Sequence, residues 1–205
     1  MPDGPLIVWL EDVARTTGTG QILVASLLAL CAPARLIERD CGQNIPLTMD
    51  DLATSIFSSG STGEPKGVML SHFNVDANEQ GASQVLHLYQ DERVLGILPF
   101  FHSFGYLVFW LVMFNNAGMV FHPSPLDAAA IGELMRRYRI TFLVTTPTFL
   151  QLYHRRCTPE QFSSLRVVLT GAEKLPRRLA QVFHDRFGIE PIEGYGITEC
   201  APVVA

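Results

Sequence analysis

What this chain lacks narrows its chemistry first. Its four cysteines, Cys31, Cys41, Cys157 and Cys200, form no C-x-x-C pair, and none of its six histidines sits in an H-E-x-x-H pattern. That removes the usual signatures of a zinc or disulfide framework and fits reduced thiols in a cytosolic compartment. There is no basic excess: the formal net charge is −5 and no stripe of Lys and Arg stands out, so the chain carries no nucleic-acid footprint. No apolar run is long enough to cross a bilayer. The longest, residues 22–34, is broken only by Ser26 and is shorter than the roughly 20 residues a span needs. It reads as a buried or interface helix, or as one lying on a membrane face or against a neighbouring domain. The first apolar run starts beside Asp3 and is interrupted by Glu11 and Asp12, which does not read as a secretory signal. A hydrolase ranks last, because no G-x-S-x-G elbow is present. No internal repeat or low-complexity tract appears.

What is present centres on Ser58-Ser59-Gly60-Ser61-Thr62-Gly63-Glu64-Pro65-Lys66-Gly67. Short apolar runs flank it, so it reads as the loop of a hairpin or of a strand–loop–strand unit. Glycines let backbone N–H groups turn into one anion-attracting concavity, hydroxyls add donors, and Lys66 adds a compact positive charge. These are the parts of a polyphosphate cradle. The plain alternative is a polar surface linker. A Walker loop is excluded, because no glycine pair has the required spacing and Lys66 is followed by Gly67, which has no hydroxyl for a metal.

The length of 205 residues allows one domain with a sizeable core. Residues 1–50 read as a leading linker and helical segment, with a strand over 7–10, a helix over 22–37 and a polar linker over 39–44. From residue 51 onward short strands alternate with helices. Ser71 caps a helix to about Leu88, and residues 93–98 form a strand ending at Pro99. An apolar helix covers 106–114 and a strand covers 119–122. Ser124 with Pro125 opens a helix through Arg139. Strand 140–145 is followed by a helix capped at Thr146-Pro147 that runs to about Arg156. A capping-box pattern at 158–161, a strand over 166–169, a helix over 176–187 stopped by Gly188 and a strand over 189–193 complete the order. This alternation predicts an α/β fold, a mainly parallel sheet flanked by helices, with ligands at the carboxyl ends of the strands.

Those strand ends carry the remaining motifs. Glu193-Gly194-Tyr195-Gly196-Ile197-Thr198-Glu199 offers a ring face for a base, a hydroxyl for a phosphate and a hard oxygen ligand for Mg²⁺. Thr170-Gly171-Ala172-Glu173 follows another strand. Leu98-Pro99-Phe100-Phe101-His102-Ser103-Phe104-Gly105 places a histidine among aromatics, either as a satisfied core residue or facing a substrate.

The glycine-rich loop, the Tyr-Gly-x-Thr-Glu motif, the Gly-Ala-Glu turn and the histidine motif resemble, in order and spacing, those of the adenylate-forming (AMP-binding) enzymes over about residues 51–204. Within that superfamily the chain is most similar to the acyl-ACP synthetase half of bacterial bifunctional 2-acylglycerophosphoethanolamine acyltransferase/acyl-ACP synthetases, most tellingly at Glu199-Cys200-Ala201-Pro202-Val203-Val204. The resemblance implies that residues 51–205 are part of the large N-terminal adenylation domain. It implies ATP and Mg²⁺, with Ser58, Ser59, Gly60, Ser61, Thr62, Gly63 and Lys66 on the β- and γ-phosphates. Gly171, Ala172 and Glu173 then lie at the adenine, Tyr195 and Gly196 on it, and Thr198 at the α-phosphate. Glu199 holds the magnesium. His102 meets the carboxylate, with Gly105 and Tyr106 opening an acyl pocket along 106–114.

The implied reaction joins a fatty acid to the thiol of an acyl carrier protein or coenzyme A through an acyl-adenylate, in the cytoplasm at the inner face of a bacterial membrane. The chain departs from the pattern in lacking the family's later ribose-binding aspartate, hinge and catalytic lysine, so the expectation is an enzyme fragment that is inactive alone. An acyltransferase half would need H-x-x-x-x-D, and His72 with Asp76 is one residue short. The rival reading is a nucleotide-binding or membrane-recruitment module without turnover.

Overall fold

Residues with β-branched and apolar side chains pair early in each strand–helix unit, and the sheet they build decides where everything else lies. A computed structural model describes residues 15–33, 36, 37, 39, 46–59 and 64–205. Two compact units emerge, Met1–Leu47 and Thr48–Ala205.

In the first unit, helix α1 spans Thr19–Cys31, with the Gln21 side-chain oxygen accepting from Gly18 N–H at 2.9 Å. It stops well short of the predicted residue 37. Ala32 precedes Pro33, and the ring of a proline pushes the residue before it out of the helical region; Ala32 is extended, at φ −81° and ψ 139°. Among the described residues no helix is long and apolar enough to cross a membrane. The strand predicted over 7–10 and most of the linker over 39–44 lie outside the described residues.

The second unit opens with an antiparallel hairpin, β1 (Leu52–Ser59) and β2 (Pro65–Ser71), in which Ser58 faces Lys66 and Ser59 faces Pro65. Helix α2 (His72–Leu86) follows at once. Ser71 Oγ accepts from Asn74 N–H at 3.3 Å, as its cap role predicts. The remaining strands are β3 (Arg93–Gly96), β4 (Gly118–Phe121), β5 (Phe142–Thr145), β6 (Val167–Thr170) and β7 (Ile192–Glu193). They form one parallel sheet in the order β4-β3-β5-β6-β7. Between them run α3 (Ser103–Phe114), α4 (Ala128–Arg137), α5 (Pro147–Arg156) and α6 (Arg177–Phe187).

Side-chain alternation along the strands sorts these helices onto two faces. Leu95, Leu143 and Val168 point to one side, where Ile131 and Met135 of α4, Leu150 and Tyr153 of α5, and Phe183 of α6 bury them. Their neighbours Val94, Phe142, Val144 and Leu169 point to the other, under Ala82 of α2 and Val108, Leu111 and Val112 of α3. A third cluster of Ile56, Leu70, Val75 and Ala201 seats the hairpin beside α2, with Tyr106 and Trp110 against it. The α/β architecture expected from the sequence is therefore the observed one.

Two helix starts in the second unit differ from expectation, as does that of α1, which begins at Thr19 and not at residue 22. Helix α4 begins at Ala128, not beside Ser124-Pro125, because Asp127 supplies the cap: its Oδ1 accepts from Ala130 N–H at 3.1 Å. Helix α3 begins at Ser103, before the predicted residue 106, because His102 caps it, with Nδ1 accepting from Phe104 N–H at 3.2 Å.

Candidate active site

The carboxyl ends of β6 and β7 open into a cavity of about 490 Å³. Its floor is the turn after β6, where Gly171 and Ala172 lie. One wall is the start of α3, with His102, Ser103 and Phe104, and another is the segment Gly194 to Thr198 after β7. The opposite wall is α2, through Ala77, Asn78, Gly81, Ala82, Val85 and Leu86. These are two adjacent i, i+4 rows of mostly small residues on one helix face.

Local chemistry fixes each piece. Gly171 carries no Cβ because one would lie 2.9 Å from the Phe104 ring, so the turn after β6 packs flat on the start of α3. Ala172 next to it holds φ +66°, a left-handed conformation that side-chain-bearing residues rarely adopt. The segment after β7 folds back on residues 202–205. Ile197 N–H donates to Pro202 O at 2.9 Å, Val204 N–H donates to Tyr195 O at 2.9 Å, and Gly196 bridges Val203. A Cβ at Gly196 would sit 2.5 Å from Pro202 O, so that position needs glycine for the backbone to close.

Asn78 then ties this flap to α2. Its Nδ2 donates to Cys200 O at 3.1 Å and to Val203 O at 2.8 Å, while its Oδ1 accepts from Val203 N–H at 3.1 Å. Thr198 is thereby held against α3, its Oγ1 3.1 Å from Ser103 Oγ.

The cavity thus brings together His102, Gly171, Ala172, Tyr195, Gly196 and Thr198 from three separate stretches of sequence. Tyr195 leaves its ring 62% exposed, free to cover a flat ligand. Since Nδ1 of His102 accepts the Phe104 N–H, the neutral imidazole assigned by that bond carries its proton on Nε2, the nitrogen left to meet a ligand.

Other predicted residues lie elsewhere. Glu173 does not line this cavity; Thr148 Oγ1 donates to its Oε2 at 2.6 Å in a neighbouring groove. Glu199 lies exposed in the short turn Thr198–Cys200, beside the cavity. Ser58, Ser59 and Lys66 are strand residues at the loop end of the hairpin, and Gly60, Ser61, Thr62 and Gly63 fall outside the described residues. The residues that sequence reasoning missed are the α2 face, Asn78 above all, and Ser103. The paired small-residue rows of α2 were the available signal.

Gly105 and Tyr106 do not line the cavity. Tyr106 packs beside the third cluster, its ring centroid 6.1 Å from that of Trp110. Gly105 is buried where α3 crosses the end of β3, and a Cβ there would lie 2.2 Å from Pro99 O, a backbone atom that cannot swing aside. Gly105→Leu should therefore lower stability by the 1–3 kcal/mol typical of overpacking, about 2 kcal/mol, whatever ligand is present. Urea unfolding checks this; an unchanged midpoint would mean the helix shifts freely and the close approach is not structural.

A family model for the AMP-binding enzyme matches residues 12–205. The chain belongs to the AMP-binding enzyme family. Its relatives include a feruloyl-CoA synthase of Amycolatopsis sp, 33% identical over 191 residues that cover 88% of this chain and 39% of that protein. The long-chain-fatty-acid–CoA ligase of Bacillus subtilis is 30% identical over 157 residues, 75% of this chain and 28% of that protein. Among solved structures, ATP-bound MatB from Rhodopseudomonas palustris superposes with a TM-score of 0.71 at 30% identity, covering 77% of this chain and 31% of that one. This AMP-binding chain thus spans about 39% or less of the length of these relatives.

Proposed function

We propose that the cavity is the nucleotide floor of an ATP-dependent acid–thiol ligase. The observation that carries this reading is the convergence of an exposed tyrosine face, a hydroxyl pair and a histidine Nε2 on one cavity at the strand ends. The residues fit ATP. The cavity suits a purine nucleoside, Tyr195 offers a stacking face, and Thr198 offers a hydroxyl to the α-phosphate. They also fit a magnesium ion shared with ATP. Among the described residues no three His, Cys, Asp or Glu side chains converge, so Glu199 would hold the ion only together with phosphate oxygens and water, which is how Mg²⁺ is commonly bound. Bound there, the ion would neutralise phosphate charge.

In the proposed reaction a carboxylate oxygen attacks the α-phosphorus of ATP, the bond to the bridging oxygen breaks and pyrophosphate leaves. A thiol sulfur then attacks the acyl carbon, releasing AMP and a proton. The carboxylate is already a nucleophile, so no general base is needed; the chain's residues position the reactants and stabilise charge. His102 orients the carboxylate, and Ser58, Ser59 and Lys66 at the hairpin end reach the outgoing phosphates.

We take the acid to be a fatty acid, in keeping with the Bacillus relative, and the acceptor to be the thiol of an acyl carrier protein or of coenzyme A, the first on the resemblance at residues 199–204 and the second in keeping with the CoA-forming relatives. The whole protein is then longer than this chain. The exposed apolar side chains of α1, among them Leu23, Leu27 and Leu30, support work at a membrane face.

Calorimetric titration with Mg·ATP tests the reading. One site is expected, weakened about tenfold by Tyr195→Ala, since stacking of a base on an aromatic ring is worth about 1–3 kcal/mol. A folded protein that takes up no nucleotide would end it. Binding without pyrophosphate exchange in the full-length protein would favour a module without turnover.

A further inference from the structure

On a protein whose net charge is −5, one groove gathers three cations whose side chains have no ion-pair partner among the described residues. It lies between α5 and α6, holds about 550 Å³, and carries Arg155, Lys174 and Arg178 on its walls. All three are exposed, and among the described residues no hydrogen bond or ion pair engages their side chains. Three other arginines are occupied. Arg136 pairs with Glu133, Arg166 with Glu92, and Arg186 donates to the carbonyls of His154 and Cys157. The carboxylate in the groove, Glu173, accepts from Thr148 and offsets one of the three cations, which leaves the walls positive on balance. Arg156 and Arg177, exposed and next in sequence to the groove residues, extend the positive field beyond its rim.

Position gives the field a purpose. Residues 171–174 form one strap. Gly171 and Ala172 line the nucleotide cavity, Glu173 and Lys174 line the groove, and the left-handed turn at Ala172 divides them. Whatever docks in the groove sits one strap away from the nucleotide cavity. No Phe, Tyr or Trp lines the groove to stack the base of a free nucleotide acceptor, and the His154 ring there packs edge-to-face on Phe187, centroids 6.2 Å apart. Its floor holds Leu179 and Val182 instead, an apolar strip between two cationic walls. That pattern complements an amphipathic helix with acidic flanks.

We propose that this groove docks the acidic helix of a carrier protein, so that the carrier's tethered thiol reaches the neighbouring cavity. The proposal rests on the ligase reading above and names its acceptor. Charged residues at such a rim set on-rate, salt dependence and partner choice.

The test titrates this protein with a purified, acidic holo-acyl carrier protein and follows anisotropy at low and moderate salt. The expected result is saturable binding that weakens as salt rises and falls about tenfold in the R155E/R178E double variant, with Mg·ATP affinity unchanged. The milder R155Q/R178Q pair should lose less in the same direction, and R136E, on a different helix, should lose nothing. Equal carrier affinity in wild type and the reversed variant would overturn the proposal. So would no carrier binding at all, or binding of coenzyme A or of phosphatidylglycerol vesicles, but not of the carrier, through these arginines. Loss of Mg·ATP binding with carrier docking intact would sink the ligase reading and leave the docking surface standing.

Discussion

Glu79→Gln should stabilise the protein, and the gain should grow as pH rises from about 5 to 8. Glu79 lies on the inner face of α2 between Val75 and Ala82, 2% exposed, and neither carboxylate oxygen finds a hydrogen-bond partner. Burial without a counter-charge disfavours the ionised form and pushes its pKa from 4.5 up to about 8. The sign follows from linkage. Between those two values the unfolded chain has released the proton while the folded chain keeps it, so the folded state binds more protons and stability falls with pH across the window. Each pH unit is worth about 1.4 kcal/mol, which puts a ceiling of about 5 kcal/mol on the loss by pH 8.

Glutamine keeps the shape and cannot ionise. The two proteins should therefore differ least at pH 5, near the lower edge of the window, and diverge above it. Carboxylates with lowered pKa values, Asp51 and Glu133 by accepting from Thr48 and Arg136 and Glu160 by a bond with Thr158, act in the opposite sense and at more acidic pH, where protonation costs stability. They leave this window clear. Denaturant unfolding of both proteins at pH 5, 6.5 and 8 decides it. Parallel pH dependences would mean that Glu79 is ionised in the fold and finds a partner there.

That carboxylate was invisible in the sequence, because a glutamate on a helix reads as a solvated residue unless the helix's buried face is known. The contrast with what was legible is physical. Ser71, Thr146 and Gly188 marked helix ends because caps are local bonds between residues a few positions apart. Strand alternation likewise revealed the α/β sheet, since burial on both faces leaves continuous apolar runs such as Phe142–Thr145. Ser124-Pro125 misled because Asp127 lies close enough to compete for the same N–H groups, and a carboxylate wins.

The motif residues of the cavity were readable as short patterns of glycine, hydroxyl and tyrosine. Their α2 wall was not, because Asn78 clamps a partner 125 residues away, and no local pattern encodes a contact at that separation. Gly105 shows the same limit from the other side. A glycine beside a substrate motif suggested an opening, and the close approach of the Pro99 carbonyl, which also demands glycine there, left no trace in the local pattern.

On the ligase reading proposed above, Glu199→Ala in the full-length protein should lower the rate of adenylate formation by 10²–10³-fold and raise the Mg²⁺ concentration needed for half-maximal rate. The reason lies in what surrounds it. Three acidic side chains lie near the cavity, and two are committed: Glu173 accepts from Thr148, and Glu193 Oε1 accepts from Leu175 N–H at 2.9 Å. Glu199 is exposed in the Thr198–Cys200 turn with no partner among the described residues, and that turn is held in place by Asn78 and by the Thr198–Ser103 contact. It is thus a free carboxylate on a fixed support, next to the hydroxyl proposed to meet the α-phosphate. Removing it leaves a shared ion with phosphate oxygens and water alone. The charge that develops as pyrophosphate departs then loses one preorganised stabiliser, a contribution of about 3–4 kcal/mol where such a group has been deleted in other active sites. Glu199→Gln, which keeps size and loses charge, should fall nearly as far, whereas Glu173→Gln should cost much less. Pyrophosphate exchange measured across a Mg²⁺ series reads both effects. A Glu199→Ala enzyme with near wild-type exchange at ordinary Mg²⁺ would remove this residue from the metal site and leave the ion to groups beyond the turn.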